Sequence, residues 1–425
     1  MNRNVIARRS LAAVAAAALA FGLVIVQPSC IVSYVGGAFR YQPSELEKRL
    51  SKPARKLVRK AYKGLDPKRI TDHHVHIVGM GTGGTGCEVN PELTSLLHPM
   101  KRARYSVYLS ACDVKDEKAA DQQFVARLVD LTGHLRPTGR FHLLAFDRHY
   151  NADGTVNARK TEFHVPNEYV HSVARKHPER FTPVLSIHPY RHDAVAALER
   201  LAKSTGAKMV KWLPNAQGID PASPRCDAFY AKMKELGLVL LSHAGEEKAV
   251  EAEEDQKLGN PLRLRRPLDA GVKVIIAHCA SAGEDVDLDD PEGGSAPSFD
   301  LFLRMMANKK YDGLLFGEIS ALVLSNRMGR PLATMLDRQD LHHRLVNGSD
   351  YPLPAVNLLI RTGSFVSAGY LTEAQGEQLA EIYDVNPILF DLVLKRTIRH
   401  PTTGKQFAAS VFLNNPGLFG PGSKR

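Results

Sequence analysis

Asp72-His73-His74-Val75-His76, running on into Ile77 and Val78, carries three imidazoles in a short apolar frame. A stretch this short, entering Ile77-Val78, reads as a β-strand. Residues two apart on a strand share a face, so His74 and His76 point the same way and His73 is expected to turn outward into the wall. One strand thereby offers two imidazoles to one cation. Such a pair taken alone is more often packing than ligand, and its weight depends on what the rest of the chain places beside it.

Working outward, seven further apolar runs follow: Leu143 to Phe146, Val184 to Ile187, Met209-Val210, Val239 to Leu241, Val274 to Ile276, Leu314 to Phe316 and Leu345-Val346. Short, nearly continuous apolar runs suit strands buried on both faces, as in a parallel sheet. Helical patterns lie between them. Ala194 to Lys203 repeats Val195, Leu198 and Leu201; Cys226 to Leu236 stops at Gly237, and Pro261 to Ala270 stops at Gly271. Strand and helix in eightfold alternation predict a closed (β/α)8 TIM barrel. The expected organisation is a signal or anchor over 1–30, a basic linker or helix over 31–66, the barrel over 67–396 and a tail over 397–425. Two loops stand out. Gly79 to Glu88 holds five glycines and is expected to be mobile over the barrel mouth, and Glu284 to Ser298 reads as a solvated acidic insertion.

Catalytic groups of such barrels stand at the C-terminal ends of the strands. Those ends carry His74 and His76, then Asp147-Arg148-His149, His188, Lys211, His243, His278, Glu318 and Asp350. A nitrogen from His243 and an oxygen from Asp350, added to the first pair, give the mixed sphere favoured by Zn²⁺ and similar divalent ions. Water on such an ion has a pKa near neutrality, and His278 is placed to take and return a proton. Arg148, His188 and Glu318 are further candidates for substrate or a second metal, whereas His342 and His343 precede the eighth strand, at its wrong end. Trp212 is expected to line the mouth or pack a loop.

At these residues the chain resembles the amidohydrolase superfamily, and within it the amidohydrolase-related branch that includes aminocarboxymuconate-semialdehyde decarboxylase. The resemblance covers most of residues 68–395. It rests on Asp72-x-His74-x-His76, Ile187-His188-Pro189, Val210-Lys211-Trp212-Leu213-Pro214, Ser242-His243-Ala244-Gly245, Ala277-His278 and Gly348-Ser349-Asp350. It implies His74, His76, His243 and Asp350 as ligands of one divalent metal, Zn²⁺ first among candidates, with His278 and Asp350 in acid–base roles. Binuclear relatives bridge two ions with a carboxylated lysine on strand four, a position Lys211 could fill; otherwise Lys211 meets a substrate carboxylate or is structural. The expected activity is hydrolysis of a C–N or C–O bond in a small, carboxylate-bearing molecule. The alternatives are decarboxylation on the same frame and a metal- or ligand-binding surface protein without turnover.

Formal net charge is +11, but eight of the cations lie between Glu45 and Lys63, without the interleaved aromatics a base-stacking surface needs. That stretch reads as a solvated helix face, and nucleic acid is not expected as a partner. Arg3, Arg8 and Arg9 precede an apolar run from Leu11 to Val26, and Gln27-Pro28-Ser29-Cys30 follows. This is the pattern of a secretory signal or anchor, with Cys30 a candidate lipidation site, so export with membrane tethering is expected. The five cysteines form no Cys-x-x-Cys pair and no disulfide framework.

Overall fold

The eight apolar runs become eight strands in a computed structural model that describes residues 41–250 and 252–419. The strands are β1 (Thr71–His76), β2 (Arg140–Leu144), β3 (Phe181–Val184), β4 (Met209–Trp212), β5 (Val239–Ser242), β6 (Lys273–Ile276), β7 (Leu315–Glu318) and β8 (Leu345–Val346). All pair in parallel, β1-β2-β3 in one run and β4-β5-β6-β7-β8 in the other. Two seams close the ring. Leu185 bridges Val210, with the Lys211 amide donating to the Leu185 carbonyl at 2.7 Å. Val75 bridges Tyr351, with the His73 amide donating to Asn347 at 2.9 Å and the Asp350 amide to His74 at 2.8 Å. The result is a (β/α)8 barrel.

The helices between strands follow their glycine stops. Ala194–Thr205 ends at Gly206 and Asp227–Glu235 is followed by Gly237, both glycines left-handed with φ of 70° and 63°. Pro261 to Ala270 differs from expectation: it is a 3-10 turn, Pro261–Leu264, running into a short α-helix, Arg265–Asp269. Pro267 within the segment lacks the amide a longer helix needs.

The basic stretch is docked on the barrel. Helix Lys52–Tyr62 buries Ala54, Leu57 and Ala61 and leaves most of its cations in solvent. Ser51 caps it by accepting from the Ala54 amide, and donates through its own amide and hydroxyl to Glu381. The described part of the tail also packs on the barrel: Leu418 lies with Leu144, Val184, Val239 and Phe316, and Phe419 beside them, so these two residues close the floor. The signal or anchor expectation falls on residues outside those described. Among the described residues no helix is long and apolar enough to cross a membrane.

The loop from Gly79 to Glu88, expected to be mobile, is tied down instead. The buried Asp121 carboxylate accepts from the amides of Met80 (2.6 Å) and Gly81 (3.2 Å) and from the hydroxyls of Thr82 and Thr85. The acidic insertion forms a two-stranded hairpin, Glu284–Val286 with Ser295–Pro297, and Arg304 pairs with its Asp287 and Asp289.

β1 departs from strict alternation. Its register against β2 shifts between Asp72 and Val75, so two residues face one. Such a bulge turns consecutive side chains to the same side. His73, expected to point outward, therefore turns to the floor: its Nδ1 lies 3.0 Å from His142 Nδ1 and its ring stacks on Phe419. His74 remains free to point at the mouth.

Candidate metal centre

Three side-chain atoms converge above β1. His74 Nε2 lies 3.2 Å from His76 Nε2, and Asp350 Oδ1 lies 3.3 Å and 3.2 Å from these two nitrogens. Two imidazole nitrogens and a carboxylate oxygen this close can converge on one cation. Bonds of about 2.0–2.1 Å in a tetrahedral sphere set ligand atoms roughly 3.3 Å apart, which is the spacing present. The donor set therefore fits a divalent ion.

His74 is held from behind. His74 Nδ1 faces Glu318 Oε2 at 3.2 Å, so its proton sits there and Nε2 keeps its lone pair. Glu318 is fully buried and also accepts from the Ser320 hydroxyl (2.6 Å), the Ser320 amide (2.5 Å) and the His278 amide (3.3 Å). Burial alone would raise its pKa, but His74 and Ser320 outweigh it and hold the carboxylate below the usual range. Glu318, a candidate for substrate or a second metal, forms a second close group of ligand atoms with His74 and His278. It stands under His74 and fixes its tautomer, a support that metal-binding imidazoles commonly need.

His278 is bonded through Nδ1 to the Ser320 hydroxyl at 2.6 Å, and that hydroxyl donates onward to Glu318. The other nitrogen, Nε2, stands 3.7 Å from Asp350 Oδ2 with its lone pair available. Burial holds His278 well below the ordinary histidine pKa, so it is neutral. Burial works against the charge of Asp350 too, but His74, His278 and His76 together keep it well below the usual carboxylate range. Both His278 and Asp350 have left-handed backbones, φ 55° and 58°, a strain that costs about 1–3 kcal/mol each and gathers at functional sites.

His243 lies next to His278, ring centroids 5.3 Å apart, but belongs to neither close group of ligand atoms. Neither of its ring nitrogens makes a hydrogen bond, although it is buried and its pKa is pushed down to about 4 by that burial. A neutral imidazole with both nitrogens unspent retains ligand capacity. Glu247, which the sequence reading passed over, lies 3.5 Å from its Nδ1, and the Ala249 and Val250 amides donate to the other oxygen of Glu247. An acid four residues after a strand-end histidine was the available signal.

Lys211 is fully buried, its Nζ 3.2 Å from His74 Nε2, and burial lowers its pKa to about 8. Two other candidates leave the site. His188 donates from Nε2 to the Gln217 carbonyl (2.9 Å) and accepts at Nδ1 from the Tyr190 amide (3.1 Å), so both nitrogens serve the loops. Arg148 is joined to Glu88 through Nε (2.8 Å) and Nη2 (2.5 Å), a loop salt bridge. Trp212, expected to line the mouth or pack a loop, turns away from the mouth: inward Lys211 sends its neighbour outward, where it packs on Phe229 and Tyr230 of the helix Asp227–Glu235.

The family model described as Amidohydrolase matches residues 71–358, a span containing every group of this centre. The chain belongs to the amidohydrolase family. Its members typically use a divalent metal, and the His-rich group above is where this amidohydrolase could hold one. Among solved structures, an uncharacterised TIM-barrel protein from Bordetella bronchiseptica is similar at 16% identity, covering 73% of this chain and 98% of that one, TM-score 0.43. A probable 2-pyrone-4,6-dicarboxylic acid hydrolase from Acinetobacter baumannii, with citric acid bound, is similar at 14% identity, 76% and 97% coverage and TM-score 0.41. For 5-carboxyvanillate decarboxylase from Sphingomonas paucimobilis the values are 12%, 75%, 99% and 0.41. Among curated proteins no sequence matches.

Proposed function

We propose that this amidohydrolase is a hydrolase that cleaves a C–N or C–O bond with one Zn²⁺ held by His74, His76 and Asp350, with His243 beside them. The observation that carries this reading is the 3.2–3.3 Å triangle of ligand atoms. A bound divalent ion lowers the pKa of water to near 7 and polarises a carbonyl. The chain's own groups do the rest. Glu318 keeps the His74 proton on Nδ1. Asp350 directs one oxygen to the histidine pair and the other to His278, so a proton taken at Oδ2 can be passed to Nε2 and on to the leaving group. The His278 lone pair is kept free by Ser320.

Decarboxylation on the same frame is the second reading, favoured by Lys211, a cation facing the same chamber. Reaction in H₂¹⁸O separates the two: label in the product acid supports hydrolysis, and CO₂ release without label overturns it. The metal count is tested on protein purified without chelator. One equivalent per chain supports the reading; two, falling to one in Lys211→Ala, replaces it with a binuclear centre. Export with tethering is proposed from Arg3, Arg8, Arg9 and the apolar run Leu11 to Val26. Cell fractionation tests this, and recovery in the cytoplasm overturns it.

A further inference from the structure

A chamber of about 100 Å³ opens above the ligand triangle. Its polar lining is the metal-centre residues with Lys211, Glu247 and Tyr108. The rest of its wall is apolar, including Val78, Phe146, Phe163, Val165, Leu213 and Val250. No arginine lines this chamber among the described residues. Its single cation, Lys211, is at the metal end, 3.2 Å from His74 Nε2.

A neighbouring cavity of about 500 Å³ has the opposite character, lined by Glu92, Lys101, Arg159, Lys160, Glu162 and Asp255. The loops that line one cavity line the other a residue or two away, as Phe163 does beside Glu162 and Val250 near Ala252. Charge-recognising side chains are therefore present nearby, yet none of these six lines the chamber. A carboxylate pressed on that wall loses water and gains no partner, whereas an apolar group gains from burial there. A cavity of about 150 Å³ holds a benzene, so this smaller chamber, open on one side, takes a short branched chain or part of a ring.

We propose that the substrate is an uncharged ester, lactone or amide bearing a small apolar group next to the carbonyl that is cleaved. The bond cleaved rests on the hydrolase reading above; the apolar body rests on the wall alone. Water adds its oxygen to the carbonyl carbon, the C–O or C–N bond breaks, and the leaving group departs with a proton as alcohol or amine. The sequence had led to the expectation of a carboxylate-bearing substrate; the apolar wall is the ground for proposing an uncharged one instead.

The test compares two probes with one metal-binding head, benzohydroxamate and its 3,5-dicarboxylate, on the full Zn²⁺-loaded chain by calorimetry. Benzohydroxamate is expected to bind at least about tenfold more tightly, and Val250→Arg, at a half-buried wall position, to shrink that ratio. Equal affinity, the reverse order or binding of neither overturns the proposal. If benzohydroxamate binds as expected but no neutral ester, lactone or amide is cleaved, the apolar site stands and the hydrolase reading falls.

Discussion

Replacing Glu318 by Gln changes one atom in a carboxylate that four donors approach. Oε2 takes the His74 ring N–H, the Ser320 hydroxyl and the His278 amide, and Oε1 takes the Ser320 amide. A glutamine must turn its NH₂ toward one side. Facing the Oε2 side it would oppose three donors, so it turns toward the Ser320 amide and loses that bond. A buried donor left unmet costs about 1–3 kcal/mol. The bond to His74 survives but becomes neutral, with roughly half its former strength.

Two measurements follow from that geometry. Urea unfolding without metal is expected to show Glu318→Gln less stable by about 1–3 kcal/mol. Chelator competition is expected to show Zn²⁺ affinity reduced about 10- to 100-fold, with stoichiometry unchanged, because Glu318 orients a ligand without being one. Unchanged affinity would refute the support assigned to Glu318. A drop in stoichiometry by one ion would make it a ligand instead.

Four further outcomes are expected. Gly348→Ala should weaken metal binding at least about tenfold, because a Cβ there collides with Glu318 and stands 2.6 Å from the His74 Cβ; inductively coupled plasma analysis after dialysis reads it, and full metal retention would contradict the packing. His278→Ala should cut turnover about 10²- to 10⁴-fold while metal content stays at the parent value, and loss of metal instead would make His278 a ligand. Lys395→Met should destabilise the fold by about 3–5 kcal/mol in thermal or urea unfolding, since it strands buried Asp391 (2.7 Å) and the Gly348 carbonyl (2.6 Å); parental stability would argue against the pair's role. The floor histidines should make the protein acid-sensitive: burial pushes His142 down to about 3 and His73 well below its ordinary value, so both are neutral when folded and gain protons on unfolding. Stability from His142 is then full above pH 6.5 and falls by about 1.4 kcal/mol per unit as pH drops from 6.5 toward 3; His142→Gln should flatten the slope by about one proton, and an unchanged slope would refute it.

The barrel was legible because its signal repeats. Eight apolar runs with glycine-stopped helices constrain one another, and an error in one, such as the broken helix at Pro261, leaves the count intact. The site was legible only as far as strand ends fix position. His74, His76, His278 and Asp350 lie where the alternation of a strand and the barrel's mouth put them. What escaped depends on backbone departures from alternation. A one-residue bulge sends His73 to the floor beside His142, and nothing in Asp72-His73-His74 marks which of two adjacent histidines the bulge will spare.

The same bulge bears on how Glu318 is used. Period-two reasoning aims β7's last residue at the mouth, on the assumption that β1 presents a flat neighbour. The bulge seats His74 deep enough for its Nδ1 to reach Glu318, and Gly348, without a Cβ, leaves room for both. The carboxylate therefore stands behind His74, while His278 and Asp350 are presented from left-handed turns. Sequence names the residues of such a centre through their strand positions. Which of them touch the ion and which stand behind is set by one inserted residue and two strained turns, features that carry no residue-type signature of their own.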